Sequence, residues 1–192
     1  MKLYLPTLIV FILLLASCSN DDELNQEKQE EYFVNSEDYN INKAYYTKDL
    51  STERRYDFII IFTDGEITSF SNNFDEIKFS DSTTSMVIFR CIQDRSNGLA
   101  LNFAPSGSYI FDTTSGATLN FAQFQFNCSS SNNNLENCQL QEVIDSTSYL
   151  NEGTIEIEIV DTTSDYDINY SFEITDSKTI IGSYSGPLER FD

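Results

Sequence analysis

The chain has 192 residues, of which 31 are acidic and 11 basic, for a formal charge of −20. So acidic a surface is repelled by nucleic acid phosphates and by anionic lipid headgroups, which excludes nucleic-acid binding. There is no His and no Trp, so the commonest general base, zinc ligand and physiological pH switch are missing together.

Met1-Lys2-Leu3 places one positive charge before a nearly unbroken apolar run, Leu5 to Ala16, interrupted only by Pro6 and Thr7. A basic start, a short apolar stretch and then small residues are the order of a secretory signal. A transmembrane helix needs about 20 apolar residues. This run is shorter and stops abruptly at Ser17-Cys18-Ser19-Asn20-Asp21-Asp22-Glu23. Leu15-Ala16-Ser17-Cys18 resembles the bacterial lipobox, an apolar residue and two small residues ahead of a cysteine. The resemblance implies that residues 1–17 are a signal peptide and that Cys18 is acylated. Each buried methylene contributes about 0.8 kcal/mol and one acyl chain holds only weakly, so a stable anchor takes more than one. Ser19-Asn20-Asp21-Asp22-Glu23 resembles the acidic surface-export signal of Bacteroidota lipoproteins. That implies a place on the outer leaflet of the outer membrane, facing the medium; the periplasmic face is the alternative.

Residues 18–50 read as an acidic tether. Asp21 to Glu31 is Gln-rich and poor in apolar residues, with no convincing apolar face. Tyr32-Phe33-Val34 and Tyr39 to Tyr46 are more aromatic and suited to docking onto the domain that follows, residues 51–192. From about Tyr56 the pattern becomes period two, broken by turn residues. Tyr56 to Phe62 is a continuous apolar run that suits a central strand. Thr63-Asp64-Gly65-Glu66 signals a turn from which Ile67 to Phe70 returns. Phe74 to Phe79, Ser85 to Gln93 and Gly98 to Phe103 follow, and Pro105 to Ser108 punctuates before Tyr109-Ile110-Phe111. In Leu119 to Phe126 the apolar phase slips, and a bulge near Phe121-Ala122 reconciles it. Cys138 to Ile144 is next.

The last third alternates most clearly. In Thr154-Ile155-Glu156-Ile157-Glu158-Ile159 the isoleucines face one way and the glutamates the other. Ile168, Tyr170, Phe172 and Ile174 repeat this, and Ile180 to Leu188 ends the series, with Gly182 and Gly186 thinning one face. Many short, half-polar strands point to an all-β fold of antiparallel character. A β-sandwich is the expectation, with a lipocalin-like β-barrel as the alternative.

Three cysteines remain beyond Cys18. Cys128 and Cys138 bracket a polar loop, Ser129 to Asn137, and an exported chain permits a disulfide between them. Cys91 shares a strand face with Val87 and Phe89 and reads as a buried free thiol. A zinc site from the three fits no known spacing.

The ending, Gly153-Thr154-Ile155-Glu156-Ile157 followed by Ile181-Gly182-Ser183-Tyr184-Ser185-Gly186, resembles an uncharacterised family of Bacteroidota lipoproteins. Pro105-Ser106-Gly107-Ser108-Tyr109 is similar to a "G-x-Y" step in that family. The resemblance covers roughly residues 85–190 and implies a β-rich lipoprotein; it carries over no catalytic residues. Gly182-Ser183 stands where the family usually has Ser-Gly.

Some residues invite chemistry. Asp161, Asp165 and Asp167 crowd one inter-strand loop, as calcium-binding carboxylates do, but not at EF-hand spacing, and a solvated acidic turn is the plainer reading. Asp81-Ser82-Thr83, Asp112-Thr113-Thr114, Asp145-Ser146-Thr147 and Asp161-Thr162-Thr163 resemble the Asp-Ser/Thr acceptor of Bacteroidota O-glycosylation, and the same pairs make good turns. Glu156 and Glu158 share a strand face, yet nothing marks two carboxylates as a glycosidase pair. No catalytic residue, metal site or cofactor is expected. The reading is a non-enzymatic, lipid-anchored surface lipoprotein that binds a glycan or an envelope protein. An outer-membrane assembly component and a glycosidase-like enzyme are the alternatives.

Overall fold

The computed structural model describes residues 32–49, 55–70, 77–94, 104, 106–111, 118–145, 152–160, 165–175 and 178–191. All lie in one compact unit, Glu31–Asp192. Cys18 and the strand expected over Gly98 to Phe103 lie outside the described residues.

The described part is all-β. Its strands are β1 (Tyr32–Asn35), β2 (Lys43–Asp49), β3 (Arg55–Thr63), β4 (Ile67–Ser69), β5 (Lys78–Phe79), β6 (Met86–Asp94), β7 (Gly107–Phe111), β8 (Leu119–Phe126), β9 (Ser129–Ser131), β10 (Asn134–Glu136), β11 (Leu140–Ile144), β12 (Glu152–Ile159), β13 (Asp165–Thr175), β14 (Lys178–Pro187) and β15 (Glu189–Arg190). Eleven of them form one sheet in the order β1-β14-β13-β12-β7-β8-β6-β3-β2-β15, with β11 also on β8. The pairing is mostly antiparallel, but β1 lies parallel to β14, β15 parallel to β2, and β7 meets β8 in parallel at Phe111 and Leu119. The all-β expectation holds, and these strands form one large, curled, mixed sheet.

Covalent geometry demands this curl. Leu188 alone separates β14, near one end of the sheet order, from β15 at the other end. Two Cα steps span no more than about 8 Å, so the two ends lie side by side. The two halves meet through aromatic rings. Phe62 of β3 lies 5.4 Å from Tyr184 and 6.0 Å from Tyr170. Phe89 of β6 stacks on Phe172 of β13 at 5.4 Å with planes 5° apart. Tyr39, in a 3-10 turn at Ser36–Tyr39, stacks on Phe126 at 4.3 Å. Aromatic and aliphatic side chains from both halves thus pack into one interior cluster.

Alternation explains most of the strands. Ile155, Ile157, Ile168, Tyr170 and Phe172 point inward, and Glu156 and Glu158 outward. Ile159 keeps the inward phase but overhangs the end of the core and is exposed. The continuous run in β3 is central, as its composition suggests. Phe58, Ile60 and Phe62 face the interior, while Ile59 and Ile61 join a second cluster on the outer face. Gly182 and Gly186 sit in register with the inward Tyr170 and Tyr166.

Three sequence expectations are corrected. The sheet begins at Tyr32, so 32–49 belong to the domain and not to the tether. Ala44 and Tyr46 enter the interior, because β1 and β2 find partners more than a hundred residues and about a dozen residues away respectively. Ile67 to Ser69 does not return along β3 but pairs with β5. The bulge in β8 falls at Asn120, between the residues that pair with Arg90 and Cys91. Leu119 thereby stays inward with Ala122, Phe124 and Phe126, and Phe121 turns to the outer cluster.

Gly153 marks where β12 packs most tightly. A Cβ there would stand 2.8 Å from Cδ1 of Phe172 and 3.1 Å from Cβ of Phe111. Phe172 is fully buried against Phe89 and cannot swing away. Gly153→Ala is expected to destabilise by about 2 kcal/mol through overpacking. Urea titration checks this, and an unchanged midpoint would refute the packing argument.

Candidate functional site

The sheet has two outer faces of different character. Over β2, β3 and β6 the outer face is roofed. Ile67, Ile77 and Phe79 from the β4–β5 region, Leu135 of β10 and Phe191 pack over Tyr45, Ile59, Ile61 and Ile88. The turn into this roof is held by Asp64, whose carboxylate accepts from the backbone N–H groups of Thr84 and Ser85, both at 3.0 Å, and from the Thr84 hydroxyl at 2.5 Å. Glu66 pairs with Lys43 and accepts the Tyr45 hydroxyl at 2.8 Å. The Lys43 and Tyr45 bonds hold the Glu66 carboxyl below its usual range, while burial and the Glu66 charge push the Tyr45 hydroxyl well up.

The disulfide expected from the spacing is present: Cys128 and Cys138 are bonded. The segment between them, read from sequence as an unstructured polar loop, is instead the β9–β10 hairpin. Asn132 and Asn133 both adopt positive φ, 51° and 62°, the requirement of a type I′ turn. Asn127 and Asn137, one before each cysteine, are left-handed as well, at 50° and 52°. Asn tolerates this conformation better than other non-glycine residues. Paired Asn between short polar runs was the signal to read. The tip is tied to the roof by Phe79 N–H donating to the Asn133 carbonyl at 2.9 Å and by Lys78 Nζ donating to Asn134 Oδ1 at 3.1 Å. Cys91 is a free, buried thiol whose pKa burial raises. With the other two cysteines bonded to each other, no three-cysteine zinc site forms.

Over β7, β12, β13 and β14 the outer face is polar and carries no such roof among the described residues. Its positions line up in rows across the strands. Ser108, Glu156, Asn169 and Ser183 form one row. Glu158, Asp167 and Ser185 form the next. Ile110, Thr154, Ser171 and Ile181 form a third, and Glu152, Glu173 and Thr179 a fourth. A groove of about 380 Å³ runs along Ser106, Gly107, Ser108, Glu156, Ile157 and Glu158. Ile110 and Val160 are outward and exposed, at 52% and 59%. At the far corner Lys178 of β14 pairs with Glu142 of β11.

Searches against protein families, curated proteins and solved structures find no match to this chain.

The remaining sequence candidates divide. Asp165 and Asp167 share the outward side of β13, whereas Asp161 lies outside the described residues. Of the four Asp-Ser/Thr steps, Ser82 is exposed on its turn and Thr83 is buried. The Ser and Thr residues of the other three steps lie outside the described residues. Among the described side chains no Phe or Tyr is fully exposed, and Tyr39, Phe70, Phe121 and Phe191 are half-buried.

Proposed function

We propose that this chain is a lipid-anchored envelope lipoprotein, held through Cys18 at the outer membrane with its β domain facing the medium, and that the domain is a binding module. The lipobox-like Leu15-Ala16-Ser17-Cys18 at the end of a short apolar run carries the anchoring part. The open rows of carboxylate, amide and hydroxyl groups on β7, β12, β13 and β14 support the binding part. They sit on a rigid sheet, the kind of scaffold that holds a site in fixed geometry. The absence of His from the sequence weighs for binding over catalysis. Between the two ligand classes, the carboxylates on this face favour a protein partner over a glycan.

The test is lipid labelling with protease shaving of intact cells, comparing the wild type with Cys18→Ala. The wild type is expected to take up label and be shaved, and the variant to do neither and leave the cell. A labelled but protected wild type would place the domain in the periplasm and make envelope assembly the leading reading. An unlabelled wild type would end the lipoprotein reading.

A further inference from the structure

We propose that the outer face of β7, β12, β13 and β14 docks a Lys- and Arg-bearing segment of a partner protein, laid over the groove at Ser106 to Ser108. This rests on the binding reading above and names the partner's chemistry.

The contrast between the two outer faces comes first. Where the face of β3 and β6 carries isoleucines, hairpins roof it and bury them. On β7 and beyond β12, Ile110 and Val160 stand exposed beside an open groove. Ile110 is in register with Thr154, and Val160 follows six residues further along, ~20 Å away, so the two flank the groove as separate apolar contacts.

Charge then selects the occupant. β7, β12 and β13 contain no Lys or Arg, but carry Glu152, Glu156, Glu158, Asp165, Asp167 and Glu173. Glu158 sits directly opposite Asp167, and Glu152 opposite Glu173. Like charges directly opposed across strands destabilise a sheet, and one Lys on these strands would relieve the strain. The face is complementary to cations supplied from outside. A second copy of this chain brings another charge of −20 and is repelled. Among the described residues no three carboxylates converge closely enough to hold a metal ion. Glu156 and Glu158 are instead spaced along one strand by about 6.8 Å, the repeat of alternate side chains in an extended segment. Lys and Arg fit that spacing twice over. Their charged ends reach the carboxylates, and their aliphatic stems lie against Ile110 and Val160.

The experiment uses the full chain and a short peptide alternating lysine and valine, with an alternating glutamate–valine peptide as its opposite. Binding is followed by titration calorimetry at low and high salt. The lysine peptide is expected to bind at low salt and weaken as salt rises, and the glutamate peptide not to bind. Glu156→Gln with Glu158→Gln should weaken binding about tenfold, while the melting temperature holds or rises because the Glu158–Asp167 repulsion is gone. Asp81→Asn with Glu136→Gln changes the net charge equally at exposed positions elsewhere and should leave binding within about twofold. Equal loss in both double variants would show attraction to overall charge alone, and absence of lysine-peptide binding would show no docking at all; either overturns the proposal. Cys18 labelling is read independently, so the anchoring and docking readings fail separately.

Discussion

Phe89→Ala is expected to destabilise the domain by about 3–5 kcal/mol, the cost of removing a fully buried aromatic ring that its surroundings cannot collapse to replace. Phe89 has no exposed surface. Its ring meets Phe62 of β3 at 5.9 Å, Phe124 of β8 at 5.8 Å, Tyr170 at 4.9 Å and Phe172 at 5.4 Å. The first two neighbours belong to its own half of the sheet and the last two to the opposite half, so Phe89 is where the curl closes. Rings placed edge-on and offset-stacked add about 0.5–1.5 kcal/mol per pair beyond burial. Ile159→Ala, on an exposed side chain overhanging the core, is expected to change stability by less than about 0.5 kcal/mol. Denaturant titration of both variants gives the comparison. A Phe89→Ala loss near that of Ile159→Ala would mean that the two halves do not pack on each other.

This core was legible in part. Strict alternation in β12 and β13 gave away which residues point inward, because one face of each strand is wet and the other dry. The run Phe58 to Phe62 was legible for the opposite reason: a strand covered on both faces has no polar phase. What did not show was the closure. β1 pairs with Lys178–Ile181 and β15 with Tyr45 and Tyr46. Such short parallel pairings leave no mark on local periodicity, since their partners lie far along the chain. Residues 32–49 were therefore counted with the tether, their aromatic stretches expected only to dock onto the domain, although Ala44 and Tyr46 are core.

The candidate site shows the same division. Glu156 and Glu158 were visible as one face of a strand. Their rows with Ser108, Asn169, Ser183, Asp167 and Ser185 come from sheet order, which composition does not encode. That the neighbouring half of the sheet is roofed, while this face has no such roof among the described residues, depends on where the β4–β5 and β9–β10 hairpins land. Spacing suggested the Cys128–Cys138 bridge; it did not suggest that the bridge secures part of that roof.

Replacing both Cys128 and Cys138 by Ser is expected to lower stability by about 3 kcal/mol, the chain entropy released when a loop of this length opens in the unfolded state. The separation between the two is 10 residues. The loss should be local as well as global. With the bridge gone, the β9–β10 hairpin still has its type I′ turn and the contact of Leu135 with the outer cluster. A two-stranded hairpin of this size is marginal by itself. Its opening would free the Phe79 N–H from the Asn133 carbonyl and withdraw Leu135 from the outer cluster. Hydrogen exchange of Phe79 should then run well ahead of exchange in β13, whose bonds lie wholly within the main sheet. Equal acceleration at both places would mean that the bridge acts only on the unfolded chain, and that the hairpin holds to the roof without it.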